Sequence, residues 1–184
     1  MTDLAALEAR VARLEARADI SALVTRYARA CDERDMDALL DCFAQDAVFT
    51  SPSGLMHAEG RAAIEAMFLQ LFAVRGPGFH WTHDHLIEVR DVGEGRATGL
   101  IFSHAETSPG AVTSLAAMRY EDVYRREDRW RFERRSIAFL YYVPAADYAS
   151  VLTEPNRLVA GDRRLPADWP EPLETWRAFA ARNG

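Results

Sequence analysis

The sequence predicts an α+β fold, with helices packed on one face of a curved antiparallel sheet. Over most of the first 75 residues, apolar side chains recur at spacings of three and four, which is the period of an amphipathic helix. From residue 79 onward, four long strand-like segments are separated by tight-turn residues, which indicates an antiparallel meander. Helices that precede the strands, instead of alternating with them, distinguish this class from α/β proteins.

The helical half begins with a long amphipathic pattern at residues 4–31. Asp19 or Ser21 can cap a second segment within it, so residues 1–18 are predicted to form a separate helical arm. The leucine stripe of this arm is typical of packing on a partner subunit, and packing on its own domain explains the stripe equally well. The other predicted elements of this half are a helix at 36–44 capped by Asp35, a strand at 47–50 and a helix at 61–74.

The strand half starts with a segment that carries three of the five histidines of the chain, in the run His80–His85. The hairpin turn that follows places residues whose numbers sum to about 187 opposite each other, so His83 or a neighbour should pair with His104. Alternation puts His80 on one face of the strand and His83 and His85 on the other. Because the apolar Leu86 has the wrong parity, a bulge is expected, and the faces of His83 and His85 stay open. The four predicted strands span residues 79–91, 97–107, 111–126 and 129–144.

These elements predict one α+β domain over residues 19–143, followed by an extension at 144–184. Four of the eight prolines lie in the extension after residue 153, which favours an extended chain. Trp169 and Trp176 indicate that it docks on the domain or on a partner subunit, because exposed tryptophan is costly.

Composition excludes several classes of function. The net charge of −6 argues against binding nucleic acid, which needs clustered Lys and Arg. No apolar run approaches the roughly 20 residues of a membrane helix, and the N-terminus lacks the apolar core of a signal peptide. A cytoplasmic protein without a membrane or nucleic-acid partner is therefore expected. The two cysteines, Cys31 and Cys42, are interpreted as small buried hydrophobes.

Four short patterns, taken in order, are characteristic of one family. Together they resemble the SnoaL-like branch of the nuclear transport factor 2-like superfamily, over roughly residues 5–143. They are Tyr27 with Asp32 at the end of the long helix; Asp35 with Leu39, Phe43 and the run Asp46–Phe49; His80 at the start of the first long strand; and Arg119, Tyr120 and Asp122 followed by Trp130 and Phe132.

The resemblance implies a cone-shaped α+β barrel that encloses an apolar pocket, and enzymes that use no cofactor. Such relatives include dehydratases, dehydrohalogenases, isomerases and aldol-type cyclases, along with non-catalytic binding modules. Carried over by position, the catalytic pair of the dehydratases is Asp32 and His80, with His80 as the base. His104 falls at the spacing of a second pocket histidine. Phe139 stands where dehydrochlorinase relatives carry a pocket arginine, so a halide-stabilising role is not expected.

The residues themselves are compatible with this chemistry. A carboxylate such as Asp32 that accepts a proton from one imidazole nitrogen fixes the tautomer of His80 and leaves the other nitrogen as a base. Tyr27 can donate its hydroxyl to a developing oxyanion, and His104 is a candidate second acid–base group. The alternatives are a helix-capping Asp32, a core histidine and a core tyrosine. Three histidines on adjacent strands can also ligate zinc, but no metal-binding signature accompanies His85 and its neighbours, so no metal is predicted.

A pocket lined by aromatic and sulfur-containing side chains is predicted around this pair. Met118, Tyr120 and Asp122 share one face of the third long strand. A planar or polycyclic hydrophobic ligand would suit such a lining, although a plain hydrophobic core explains each residue as well. The arginines at the last hairpin are interpreted as a solvated edge. The predicted lining residues are Phe49, Met67, Phe102, Met118, Tyr120 and Phe139, and the arginines are Arg125, Arg126, Arg129, Arg131, Arg134 and Arg135.

The function predicted from these observations is that of a cofactor-independent lyase acting on a hydroxylated aromatic or polycyclic small molecule. An aldol-type cyclase or an isomerase would need the same base, and a non-catalytic small-molecule-binding module remains the alternative of another class. The stripe on the N-terminal arm favours a homo-oligomer, either a dimer or a trimer.

Overall fold

The computed structural model describes residues 4–183 and contains helices on the inner side of a curled, open sheet. The helices are α1 (Leu4–Glu33), α2 (Met36–Asp41), α3 (Arg61–Ala73) and α4 (Glu174–Asn183), with a 3-10 helix at Ala145–Thr153. The strands are β1 (Phe43–Thr50), β2 (His57–Glu59), β3 (Phe79–Asp91), β4 (Arg96–Thr107), β5 (Ser114–Arg126), β6 (Trp130–Pro144), β7 (Leu158–Ala160) and β8 (Arg163–Leu165).

The sheet follows the order β2-β1-β6-β5-β4-β3. Strands β3 to β6 form the predicted antiparallel meander. Outside this meander, β1 and β7 each pair with β6 in parallel. A parallel neighbour needs a long crossover connection, and the chain between β1 and β6 supplies one.

Helix α1 lies inside the curl of the sheet and contacts the edge strand β3 as well as β1 and β6 across the curl. Near the middle of the helix, Arg17 donates to the carbonyl of Ile87 on β3 at 3.0 Å. Six residues before its end, Tyr27 packs edge-on against Phe43 of β1 and Phe132 of β6. A sheet that contacts one helix from β3 round to β1 must be strongly curved, so the cone-shaped α+β fold is confirmed, with an open rather than a closed sheet.

The first turns of α1 extend away from this core. The helix is continuous through residue 18, while Leu4 and Leu14 are 67% and 66% exposed. The cap at Asp35 is present, since its side chain accepts from the amide of Ala38 at 3.0 Å. Helix α2 ends earlier than expected, because Phe43 is needed as a fully buried side chain of β1.

The C-terminal extension docks on its own domain. The buried Arg157 donates to the carbonyl of Leu140 at 2.7 Å and to both carboxylate oxygens of Glu171 at 2.8 Å. Asp168 accepts from the amide of Phe139 on β6 at 2.9 Å. These contacts anchor residues far apart in the extension to a single strand. Within residues 4–183, no helix has both the length and the apolar character that crossing a bilayer demands.

Candidate active site

The centre of the candidate site is the pair formed by Asp32, in the last turn of α1, and His80, at the start of β3. One carboxylate oxygen of Asp32 lies 2.6 Å from Nδ1 of His80, and the other accepts from the backbone amide of His80 at 3.2 Å. Both side chains are largely buried, with 16% and 25% exposure. In the neutral imidazole this contact favours the Nδ1–H tautomer, whose lone pair is on Nε2.

His80 faces a small chamber between the sheet and the helices, with a cavity volume of about 60 Å³. Of the predicted lining residues, four border it, contributed by β1, β5 and β6. Helix α1 adds Tyr27 and Cys31. The wall is apolar apart from the base, a few hydroxyl groups and the side chain of Arg75, so a proton transfer beside His80 would be shielded from water. The four predicted residues on this wall are Phe49, Met118, Tyr120 and Phe139.

Three tyrosines, Tyr27, Tyr120 and Tyr142, line the chamber together with His80. Burial raises the pKa of Tyr27 well above its ordinary value and also raises the pKa of Tyr120. Both hydroxyls are therefore protonated near neutral pH and act as hydrogen-bond donors. Burial likewise raises the pKa of the Cys31 thiol to about 12, so this side chain is not a thiolate nucleophile.

A bulge in β3 decides which histidines face inward. The pairing of β3 with β4 shifts register between His83 and Leu86, and Asp84 has a left-handed φ of 52°. The bulge expected from the sequence is therefore present. It returns His85 to the inner face, where Nε2 lies 3.1 Å from the Tyr124 hydroxyl. Burial, with added repulsion from nearby arginines, lowers the pKa of His85 to about 4.

The expectation that His104 shares the chamber with His80 is wrong. His104 pairs opposite Trp81 and lies on the outer face of the sheet, where it stacks on His83 with ring centroids 5.3 Å apart. Its Nδ1 lies 3.1 Å from Nε2 of His83. Burial, followed by the charge of His83, lowers the pKa of His104. The cause of the error is parity, since neighbours on both sides of His104, Ser103 and Ala105, are buried inward-facing residues.

Two predicted pocket residues also lie elsewhere. Phe102 shares the outer face with His104 and packs on Trp169 of the extension, with ring centroids 5.8 Å apart. Met67 of α3 packs against the hydrophobic core and does not border the chamber. Its helix neighbour Phe68 takes the lining position instead.

Sequence reasoning missed a buried ion pair beside the chamber. Asp122 and Arg135 have side chains that are 0% and 1% exposed, and they form two hydrogen bonds of 3.0 and 2.9 Å. The guanidinium lies 4.2 Å from the ring centroids of both Tyr27 and Tyr120, and 4.0 Å from that of Phe132. Burial alone would lower the pKa of Arg135, but the Asp122 carboxylate outweighs it and raises the pKa overall.

This pair corrects the interpretation of the last hairpin as a solvated edge. Arg135 is fully buried, and Arg131 is only 7% exposed because it donates to Asp41 and Asp128. The available signal was the register of β5 and β6, which places Asp122 directly opposite Arg135. Since Asp122 shares a face with Met118 and Tyr120, a buried carboxylate needed a cation there.

Within the described part of the chain, no three His, Cys, Asp or Glu side chains are grouped so that they could hold a metal ion. The His83–His104 pair is accompanied by a single carboxylate, Asp84, 2.8 Å from Nδ1 of His83.

Comparison with known proteins gives a family match for most of the chain. A family model described as a SnoaL-like domain matches residues 12–136. This range contains Tyr27, Asp32 and His80 and ends directly after Arg135. A search of curated proteins finds no significant match.

Solved structures with the same architecture are numerous. A type 2 LinA, named a hexachlorocyclohexane dehydrochlorinase, is 21% identical with a TM-score of 0.68, over 73% of this chain and 92% of that one. A Novosphingobium aromaticivorans protein provisionally described as a scytalone dehydratase is 17% identical with a TM-score of 0.67, over 73% and 91%. An NTF2-like protein with a cystatin-like fold, also from Novosphingobium aromaticivorans, is 29% identical with a TM-score of 0.62, over 81% and 97%.

Proposed function

This chain belongs to the SnoaL-like domain family of the nuclear transport factor 2-like superfamily, and on that premise we propose that it is a cofactor-independent lyase. The proposed reaction removes water from a hydroxylated aromatic or polycyclic compound. The observation that carries the proposal is the 2.6 Å contact between Asp32 and His80 at the wall of an apolar chamber. A general base held in one tautomer beside a sheltered cavity is what proton abstraction next to a carbonyl requires.

The proposed reaction uses His80 twice. Its Nε2 takes a proton from the carbon beside a carbonyl, and Asp32 stabilises the imidazolium that results. The electron pair of the broken C–H bond passes into an enolate, whose oxygen is placed to accept from Tyr27 or Tyr120. Collapse of the enolate forms the carbon–carbon double bond and breaks the C–O bond at the neighbouring carbon. The departing hydroxide takes the proton back from His80, and water leaves.

Two structural neighbours support elimination over other reactions of the same base. The names dehydrochlorinase and dehydratase both denote loss of a small molecule across a carbon–carbon bond. Phe139 borders the chamber and, by the family resemblance, stands where dehydrochlorinase relatives carry a pocket arginine, so a halide-stabilising role is not expected. Water is therefore the proposed leaving group.

The test is turnover of a tetralone with a hydroxyl β to its ketone, which becomes a naphthol when water is lost. Absorbance reports the naphthol, and mass spectrometry reports the lost water. Wild type is expected to turn over, H80A to lose turnover, and H83A to retain it, since His83 lies on the outer face of the same strand. A product of unchanged mass would instead support a cyclase or an isomerase. Binding without any chemical change would support a binding module.

A further inference from the structure

A larger groove adjoins the chamber. It has a volume of about 620 Å³, ten times that of the chamber, and lies between the end of α3, the β4–β5 connection and the strand pair β7–β8. Ligand pockets for small molecules typically span about 300–1,000 Å³, so the groove and not the chamber has the capacity for a bicyclic body. The two cavities share five residues, which form a neck between them: Met56, Leu71, Arg75, Phe139 and Tyr142.

The neck contains a cation that the protein does not neutralise. Arg75 follows α3, and its guanidinium lies 5.7 Å from the ring centroid of Tyr142. Among the described residues, no carboxylate lies within ion-pair distance of Arg75, whereas Arg125, Arg131 and Arg135 of the sheet each form ion pairs. Asp162, at the far end of β7–β8, is the acidic residue of the groove lining.

The backbone of Arg75 is held in place from both sides. Arg34 donates to the carbonyl of Phe72 at 2.7 Å, to that of Gly76 at 2.6 Å and to that of Arg75 itself. Arg75 also forms a bridge to Pro109 at the start of the β4–β5 connection. A half-buried guanidinium on a fixed backbone, stacked on an aromatic ring and facing an apolar groove, is suited to bind a planar anion.

We propose that Arg75 binds a carboxylate of the substrate, so that the substrate of the proposed lyase is an amphipathic acid. Its ring system would lie in the groove, its carboxylate at Arg75, and its reacting end in the chamber at His80. A single unpaired cation matches a singly charged carboxylate better than a doubly charged phosphate. Tyr142, whose hydroxyl lies 3.0 Å from that of Thr107, supplies a further polar group beside this position.

Isothermal titration calorimetry with naphthalene carboxylate and with its neutral counterpart, naphthalene methanol, tests the assignment. Wild type is expected to bind the acid at least tenfold more tightly than the alcohol. R75Q should lose this preference and keep its affinity for the alcohol, R75K should retain part of it, and the control R29Q should behave as wild type. Arg29 is an exposed arginine of α1. Equal wild-type affinities for acid and alcohol, an undiminished preference in R75Q, or tighter binding of naphthyl phosphate than of the acid would each overturn the proposal.

The substrate assignment rests on the proposed function, but the binding experiment separates the two. H80A is expected to keep the preference for the acid, because His80 acts at the chamber and Arg75 at the neck. A protein that prefers the acid through Arg75 yet never dehydrates a tetralone would leave the anion site standing and remove the lyase. A protein that dehydrates a neutral tetralone but binds acid and alcohol equally would support the lyase and rule out the anion site at Arg75.

Discussion

Replacing Asp32 with asparagine tests the pairing at the centre of the site. An amide has the shape of the carboxylate but presents one acceptor and one donor. Both oxygens of Asp32 accept from His80, one from the ring and one from the backbone amide. If the amide oxygen of D32N faces the ring, its NH₂ group confronts the backbone N–H. If the amide flips, it donates to Nδ1, and the proton of the imidazole moves to Nε2.

The first arrangement is unfavourable because two donors face each other, so the flipped amide is expected, and it removes the base that the proposed reaction needs. A correctly placed general base contributes about 10²–10⁴ in rate, and selecting the wrong histidine tautomer has an effect at the upper end of this range. The expected fall in kcat of D32N is therefore about 10²–10⁴-fold, or about 2.7–5.4 kcal/mol of activation free energy. KM should change little, because Asp32 itself does not border the chamber.

The assay is steady-state turnover of the β-hydroxy tetralone, with naphthol binding measured by calorimetry to show that the variant is folded. D37N is the matched control, since Asp37 is an exposed carboxylate in the first turn of α2. A folded D32N enzyme that keeps more than a tenth of the wild-type kcat would refute the role given to Asp32.

Three further predictions concern the surroundings of the site. D122N should lower the free energy of unfolding by about 3–5 kcal/mol in urea titrations, because it leaves the charge of Arg135 buried without a counter-charge; a loss below about 1 kcal/mol would contradict this. His85 has a folded-state pKa of about 4 against an ordinary 6.5, so the unfolded chain binds the proton first and stability falls as pH drops between these values. In H85Q, the free energy of unfolding should decline by about 2–3 kcal/mol less over this pH range. If the plots of unfolding free energy against pH are parallel for wild type and H85Q, the prediction is wrong. H104A should leave kcat within twofold of wild type, whereas a large fall would restore His104 to the reaction.

The sequence predicts the order and most boundaries of the long helices and strands. The first long strand is predicted at 79–91 and observed as Phe79–Asp91, because alternation and the following glycine turn both mark its ends. The third strand begins at Ser114 and not at 111, since Ala111 takes a left-handed φ of 64° that strand residues do not adopt. The pairing of Asp32 with His80 came from the family resemblance, and the structure brings the two groups together as that resemblance implies.

The alternation of side chains along β4 could not predict that His104 faces outward. Parity assigns residues of one strand to two faces but does not say which face is inside. On β3 the bulge at Asp84 exchanges the two sets partway along the strand, so His80 and His85 both face inward although their numbers differ in parity. On β4 the inner set is fixed by small buried residues such as Ser103, which gave little signal.

The buried pair shows how two weak signals combine into a strong one. Asp122 alone, on the inner face of β5, could only be classed as a polar side chain near a pocket. Arg135 alone, among six arginines at the last hairpin, gave the impression of a solvated edge. The register of β5 and β6 places Asp122 opposite Arg135. An inward-facing carboxylate requires a cation, and Arg135 is the arginine of the hairpin that lies opposite it. The same cation then lies against the faces of Tyr27 and Tyr120, so this pair fixes the two hydroxyls proposed to meet the enolate. The buried ion pair therefore lies behind the chamber wall and supports the two tyrosines that the proposed reaction uses.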